Sequence, residues 1–464
     1  MLKKMRNWHH ILLIVVINFW CIFSHANATI KISEKIIYIK QIGIIRPKSI
    51  AKTHTPEEFG AIGDGVHDDT EALKKALNAT GDITFKKGRV YKITNTVIVK
   101  SVKKIIDLNN STINRDPSKI GFSFENCNTI VFKNGKILCS AKPIAGAGSE
   151  NCINYVQCKN ITTTKLIIDG SNEMGIAHIA CIGVIASYNN IKNCYRDGIH
   201  EIYCANVQVF ENTLSNIKDD ALACHDYGTD GQKLFIRKNG YTQASNIKIY
   251  NNVINNAYQG ISSISCKNIE ITNNTISSTV GAGIAIFNTQ AINIGGTARV
   301  NGAIIQNNKI NNSCGSQKIM GIMYDNNGQN STGRGAIFVG TLGTNGQLND
   351  ATILSNVSVV NNKVNNCGVN GLWFTNTVNA IISDNNFTNC CNETSSFSGT
   401  VCAIYNITNG EINNNITVDN RTVKKHYFGF DLQNVTGNVS NLIDKGSKAG
   451  YHIVNTPAFR PITN

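Results

Sequence analysis

Short runs in which apolar and polar residues alternate recur along the chain, each closed by a pair of asparagines: IKIYNNVI, IEITNNTI, AIIQNNKI and VSVVNNKV. Alternation with period two over four or five residues marks a strand with one buried face. The apolar pair after the asparagines predicts a second strand, set off by a turn. Asparagine suits that turn because it tolerates left-handed backbone and its side chain bonds the local main chain. The spacing is regular: 23 residues separate Asn189 from Asn212, 22 separate Asn252 from Asn274, and 23 separate Asn362 from Asn385. A repeat of that length is one coil of a solenoid, whose coils share a single core. The pattern predicts an all-β protein, a single-stranded right-handed parallel β-helix with its asparagines stacked as an amide ladder. Longer gaps mark insertions at 227–245, 288–302 and 326–351. Each follows the strand after a carboxylate-bearing turn, so all three are expected at one corner, walling one side of a groove.

The open end of a solenoid exposes core and strand edges, so a cap is required. FGAIGDGVHDDTEALKKAL, residues 59–77, supplies one: a Gly/Asp turn, then a short N-terminal helix capped by Asp69 or Thr70 and running to Leu77. The first strands follow in ITFKKGRVYKI. Upstream, Lys3, Lys4 and Arg6 precede an apolar run from Ile11 to Phe23 and a small-residue site, Ala26-Asn27-Ala28. That is the grammar of a secretory signal cleaved after Ala28. The organisation expected is a signal peptide at 1–28, an extension at 29–55 and the β-helix with its cap at 56–464. The product is expected to be secreted or periplasmic, monomeric, and neither inserted in a membrane nor bound to nucleic acid.

Charge adds little to this picture. The chain carries 44 Lys and Arg against 30 Asp and Glu, a net +14. Removing 1–28 leaves +14 − 3 = +11. Such a surface fits an acidic polymer and an ordinary cationic exterior equally well. Fourteen of the 15 cysteines lie beyond Ala28, with neither the spacing of a small disulfide framework nor a CxxC zinc pattern. Cys194, Cys367 and Cys390 each follow a marker asparagine by five residues, which favours buried, stacked thiols. No metal site is expected.

The candidate chemistry sits in YRDGIHEIYCANVQVFENTLSNIKDDALACHD, residues 195–226. Asn189 precedes Asp197 by eight residues and Asn212 precedes Asp220 by eight, so the two aspartates share a position in successive coils. Asp219 flanks them. Three carboxylates crowded together resist ionising at once, so at least one keeps its proton near neutrality. That suits acid/base work on a glycosidic bond. A lone Asp-Asp pair would read as a polar turn; the stacked Asp197 argues for more. His200, out of phase with Ile199, and His225 are further candidates as ligands or proton carriers.

Segments 59–77 and 196–226 together resemble the pectate-lyase-like β-helix superfamily. The similarity is greatest to its pectate-lyase-3 and family 28 glycoside hydrolase, polygalacturonase-like, members. In the latter an NTDG turn is followed one coil later by GDDCIAI. The resemblance runs from Glu58 to about Asn288. It implies Asp219 as general acid, with Asp197 and Asp220 activating water and the anomeric centre inverting. Such a pair stands roughly 6.5–9.5 Å apart. Three positions depart from the family. Its GHG reads Tyr258-Gln259-Gly260, its RIK reads Ala285-Ile286-Phe287, and the residues before its turn aspartate are Tyr195 and Arg196. Gln259 is then expected to orient sugar or water without charge. Arg196, Lys218 or the basic loop at 233–238 are expected to stand in for the missing cations. The substrate expected is a polysaccharide, acidic or neutral, with no cofactor. Two alternatives remain. One is a lyase or uronate epimerase, for which calcium would be the cofactor and to which YRDGIHE bears a superficial likeness. The other is a non-catalytic glycan-binding or adhesin β-helix.

Overall fold

The computed structural model describes residues 52–146, 148, 150–228, 242–288, 298–325, 334–340, 353–393, 399–457 and 459. The expected signal peptide and cleavage site lie outside them. From Thr53 onward the chain winds as a right-handed parallel β-helix. Three parallel ladders make its faces. Ladder A contains Phe122–Glu125, Ile153–Val156, Ile176–Ile179 and Ile199–Ile202, and continues to Gly450–Val454. Ladder B contains Lys104–Asp107, Ile182–Ser187, Ala205–Phe210 and Ser245–Tyr250. Ladder C contains Thr112–Arg115, Asn190–Cys194 and Thr275–Thr279. Some strands turn a corner without a break: Thr213–His225 and Val253–Ile264 pass from ladder C to ladder A.

The alternation read from the sequence is the inside/outside alternation of each strand. On ladder C the inward residues Ile191, Leu214, Ile254, Ile276, Ile310, Val364 and Phe387 stack coil on coil with almost no exposure. Burial of that column and its two counterparts is the main favourable term for the fold.

The asparagine doublets divide two jobs. The first residue of each pair bends the chain: Asn251, Asn273, Asn307 and Asn361 have φ between 52° and 58°. Asparagine visits this left-handed region more readily than other side chains. The second residue turns inward and is buried. Its amide Nδ2 donates to the next coil's Oδ1 from Asn189 to Asn212, Asn252, Asn274, Asn308, Asn362, Asn385 and Asn415, at 2.9–3.0 Å. The amides also hold main-chain groups of the turn that would otherwise be buried without partners.

Three expectations change. The helix forms over Thr70–Asn78 with Asp69 at its N-cap, but the Asp69 carboxylate does not cap it. It accepts instead from the amides of Ile62 (2.7 Å) and Gly63 (3.2 Å), tying the preceding turn to the helix start. The stretch 326–351 is not one insertion, because Gly335–Gly340 within it is a rung of ladder A, paired with Ile284–Phe287 and Asn370–Ser383. Its run GAIFVG lacks the asparagine marker that flags the other coils. The loop residues 229–241, and with them Lys233, Arg237 and Lys238, lie outside the described residues. The segment around them leaves ladder A after His225 and re-enters ladder B at Ser245, the expected corner. All fourteen cysteines beyond Ala28 are unpaired, and all but Cys139 are buried.

Candidate active site

The eight-residue offset translates into contact. Asp197 lies in the turn before Ile199–Ile202, and Asp220 lies one coil above it in Thr213–His225. The Asp220 amide donates to Asp197 Oδ1 at 3.1 Å. Above Asp220, in register, stands Gln259, whose Nε2 donates to Asp220 Oδ1 at 2.8 Å. Between the pairs Ile217/Ala257 and Asp220/Gln259 the lower strand holds one residue more than the upper. This β-bulge, at Lys218-Asp219, kinks the strand and re-aims its side chains. It leaves Asp219 at the surface with 39% of its side chain exposed, while Asp197 and Asp220 are 1% and 6% exposed. Oxygens of the three carboxyls lie within 4.8 Å of one another. That figure takes one oxygen from each carboxyl, a shorter measure than the roughly 6.5–9.5 Å between the carboxyl groups of an inverting pair.

The environment splits the three. Burial raises Asp197, but His200, whose Nδ1 is 2.6 Å from Asp197 Oδ2, together with His225 and Arg196, brings it below the usual carboxylate range. Burial and then the charge of Asp197 push Asp220 up to about 7, against the pull of His200, Ser262 and Gln259. Burial, Asp197 and Asp220 push Asp219 well above the carboxylate range, an effect softened by solvent at its open edge. The surroundings therefore favour the ionised form of Asp197 and the protonated form of Asp219, the separation of roles that acid/base chemistry needs.

The other candidates surround this group. His200 projects outward from ladder A, its ring 4.5 Å from that of His225. His225 contacts Tyr227 Oη (2.8 Å), Ser262 Oγ (3.0 Å) and Asp220 (3.3 Å), and burial lowers it to about 4, so it is neutral near pH 7. Arg196 stands beside Asp219 (3.6 Å) and Glu173 (3.7 Å) with 48% of its side chain exposed. Lys218 places Nζ 3.3 Å from the centre of the Tyr195 ring. Gln259 is 4% exposed and braces Asp220 rather than opening to the cleft. In place of the family's two cations, Ala285 and Phe287 join Ile264, Ala282 and Phe338 in a small apolar cluster outside the main core.

Sequence reasoning missed Glu173, Tyr227, Ser262 and Tyr258. Glu173, 4% exposed, sits one coil below Arg196, whose amide donates to its carbonyl (3.2 Å); burial raises its carboxyl, partly offset by Arg196. The same 23-residue spacing links Glu173 to Arg196 and would have found it. A second missed pair faces the core: His178 Nδ1 lies 2.9 Å from Glu201 Oε1, both essentially unexposed, with His178 stacked on Tyr155 at 4.8 Å.

The triad carboxylates are close enough to converge on one cation. Calcium, however, takes six to eight oxygens, and beside the carboxyls stand imidazoles, an amide nitrogen and a guanidinium, with the Ser262 hydroxyl as an added oxygen. The donor set does not fit calcium.

No family model matches the chain. A stretch of 46 residues is 48% identical to a capsule K30/K69-specific depolymerase of Klebsiella phage K64-1, covering 10% of this chain and 6% of that protein's length. Among solved structures, the catalytic unit of the thermostable GH87 alpha-1,3-glucanase from Streptomyces thermodiastaticus strain HF3-3 superposes with a TM-score of 0.51. It is 16% identical, over 89% of this chain and 69% of that one. PfbA, a surface adhesin of Streptococcus pneumoniae, superposes with a TM-score of 0.53 at 13% identity, over 87% of this chain and 91% of that one. Among the described residues no helix is long and apolar enough to cross a membrane. The chain has the pectin-lyase-like right-handed parallel β-helix fold.

Proposed function

We propose that this protein acts outside the cell on a polysaccharide, and that it hydrolyses glycosidic bonds with Asp219 as proton donor. The observation that carries the reading is the triad itself: three carboxyls within 4.8 Å, one held ionised, one held protonated and facing solvent. Asp219 passes its proton to the glycosidic oxygen as the bond to the anomeric carbon breaks. A water molecule attacks that carbon and gives its proton to the Asp197–Asp220 pair, which His200 and Gln259 orient. The glucanase among the structural neighbours and the depolymerase that shares a short segment support a polysaccharide substrate. Arg196, half exposed beside Asp219, supports a polymer that carries acidic groups. The apolar run Ile11 to Phe23 and Ala26-Asn27-Ala28 support export with cleavage after Ala28.

A second reading, a non-catalytic glycan-binding β-helix, is favoured by one observation: Ala285 and Phe287 are committed to an apolar cluster where the similar family carries cations. One experiment separates the readings. The mature protein and its Asp219→Asn variant are incubated with polygalacturonate, alginate, an α-1,3-glucan and capsular polysaccharides, and new reducing ends are counted. The hydrolase reading expects release by the wild type and a loss of about 10²–10⁴-fold in the variant. An ultraviolet-absorbing unsaturated product would indicate a lyase instead. A variant as active as the wild type refutes Asp219 as the acid.

A further inference from the structure

One antiparallel pair stands apart from the solenoid among the described residues: Gln317–Ile319 with Ile322–Tyr324. It is pinned at its base. Asn256 Nδ2 donates to the Lys318 carbonyl at 3.0 Å, and the Ser316 amide donates to Glu393 Oε1 at 2.7 Å. Its tip is not packed down: Ile322 is 45% and Met323 62% exposed. The returning strand delivers Tyr324 to the mouth of the carboxylate cleft. There its ring meets Tyr258 edge-on at 5.9 Å, and Lys218 Nζ lies 5.9 Å from its centre.

Tyr258 occupies the coil above the Lys218-Asp219 bulge, immediately before Gln259. The next coil offers Gly281, whose amide donates to the Tyr258 carbonyl at 2.7 Å and which has no side chain to lay over the ring. Below Asp219 the same column carries the ionisable side chains of Arg196 and then Glu173. The cleft is thus asymmetric about Asp219. One side is ionic; on the other Lys218 borders a partly buried aromatic corner, Tyr258 and Tyr324 at 79° to each other. A pyranose ring presents apolar C–H faces and a rim of hydroxyls, a combination that a pair of tyrosines, apolar rings with polar phenolic ends, can match. One coil rises about 4.8 Å, close to the length of one sugar unit, so a sugar on Tyr258 adjoins the bond that Asp219 addresses.

We propose that Tyr258 and Tyr324 form a sugar-binding subsite next to Asp219, and that the hairpin 317–324 is the element that selects the substrate there. The inference rests on the reading that the cleft receives a polysaccharide, but not on its being cleaved.

The test is affinity electrophoresis of the mature protein in native gels containing, one at a time, polygalacturonate, alginate, dextran, laminarin and an acidic capsular polysaccharide. Retardation reports binding without turnover. At least one polymer retards the wild type. In that gel Tyr324→Ala and Tyr258→Ala weaken apparent binding roughly tenfold, the equivalent of one stacking contact, and Tyr324→Phe stays within about twofold because the ring is kept. Unchanged thermal unfolding of Tyr324→Ala excludes collapse of the cleft. Wild-type retardation by none of the polymers, or equal retardation of wild type and both alanine variants, overturns the subsite. A wild type that is retarded through these tyrosines yet releases no reducing ends removes the hydrolase reading and leaves the subsite standing. Cleavage with binding indifferent to both tyrosines does the reverse.

Discussion

Replacing Asp220 by asparagine should stabilise the protein at neutral and alkaline pH and do nothing in acid. The carboxyl is 6% exposed, and burial together with the charge of Asp197 raises it from an ordinary 3.8 to about 7. At about 1.36 kcal/mol per unit, roughly three units correspond to a cost on the order of 4 kcal/mol for keeping it ionised in the fold. The sign follows from proton binding. Between about pH 4 and pH 7 the folded protein holds a proton that the unfolded chain has released, so stability falls as pH rises through this window. Below it the carboxyl is neutral in both states and the cost vanishes. Above it the cost is complete and constant. Asparagine keeps an oxygen for the Gln259 amide, which donates at 2.8 Å, and puts an uncharged NH2 group where the second carboxylate oxygen faces His225. His225, 3.3 Å from Asp220 and lowered to about 4 chiefly by burial, makes both proteins lose stability in acid. The assay is urea unfolding of wild type and Asp220→Asn across this range. The variant should be more stable by about 2–4 kcal/mol above pH 7, with the gap closing toward pH 4. A variant less stable than wild type at alkaline pH, or a gap that ignores pH, would refute the account of why this carboxyl resists ionising. A positive result identifies Asp220 as a group kept at the expense of stability, as functional carboxylates are.

Other outcomes follow from the same structure. Asn274→Leu strips partners from the Asn252 amide and the Ile249 carbonyl inside the solenoid; at about 1–3 kcal/mol per orphaned group it should cost about 3–5 kcal/mol in urea unfolding, whereas exposed Thr408→Ala should stay within about 0.5 kcal/mol. Asp197→Asn removes the neighbouring charge that, after burial, raises Asp219; carbon NMR of the Asp219 carboxyl should show its titration moving to lower pH, and an unmoved titration would show that repulsion does not hold its proton. All fourteen thiols beyond Ala28 are unpaired and burial or stacking keeps them protonated, Cys152 for instance at about 12; Ellman's reagent should therefore label almost none in the native protein and all of them in denaturant.

The period of 22 and 23 residues, the inside/outside alternation and the Asn-Asn doublets were sufficient to specify a stacked parallel solenoid, because each coil can bury its apolar face only against a copy of itself. The same arithmetic aligned Asp197 with Asp220, and it would have aligned Glu173 with Arg196. Marker residues identify a coil only where it carries them, and the rung at Gly335–Gly340 carries none, so its sequence reads as loop. Nor could spacing reveal the bulge that turns Asp219 out of the wall, since one extra residue in a strand leaves no signature until a partner strand is laid beside it. The hairpin that brings Tyr324 to Tyr258, separated by 66 positions, is likewise invisible in a repeat. Whether Gln259 faces sugar or Asp220, and whether His200 or Glu201 faces the cleft, depends on which side of the sheet each side chain takes. The protonation of the triad depends on all of these together. Local pattern specifies the coil; desolvation and charge at the site arise only when distant coils and inserts are brought within a few ångströms, so they belong to the tertiary structure alone.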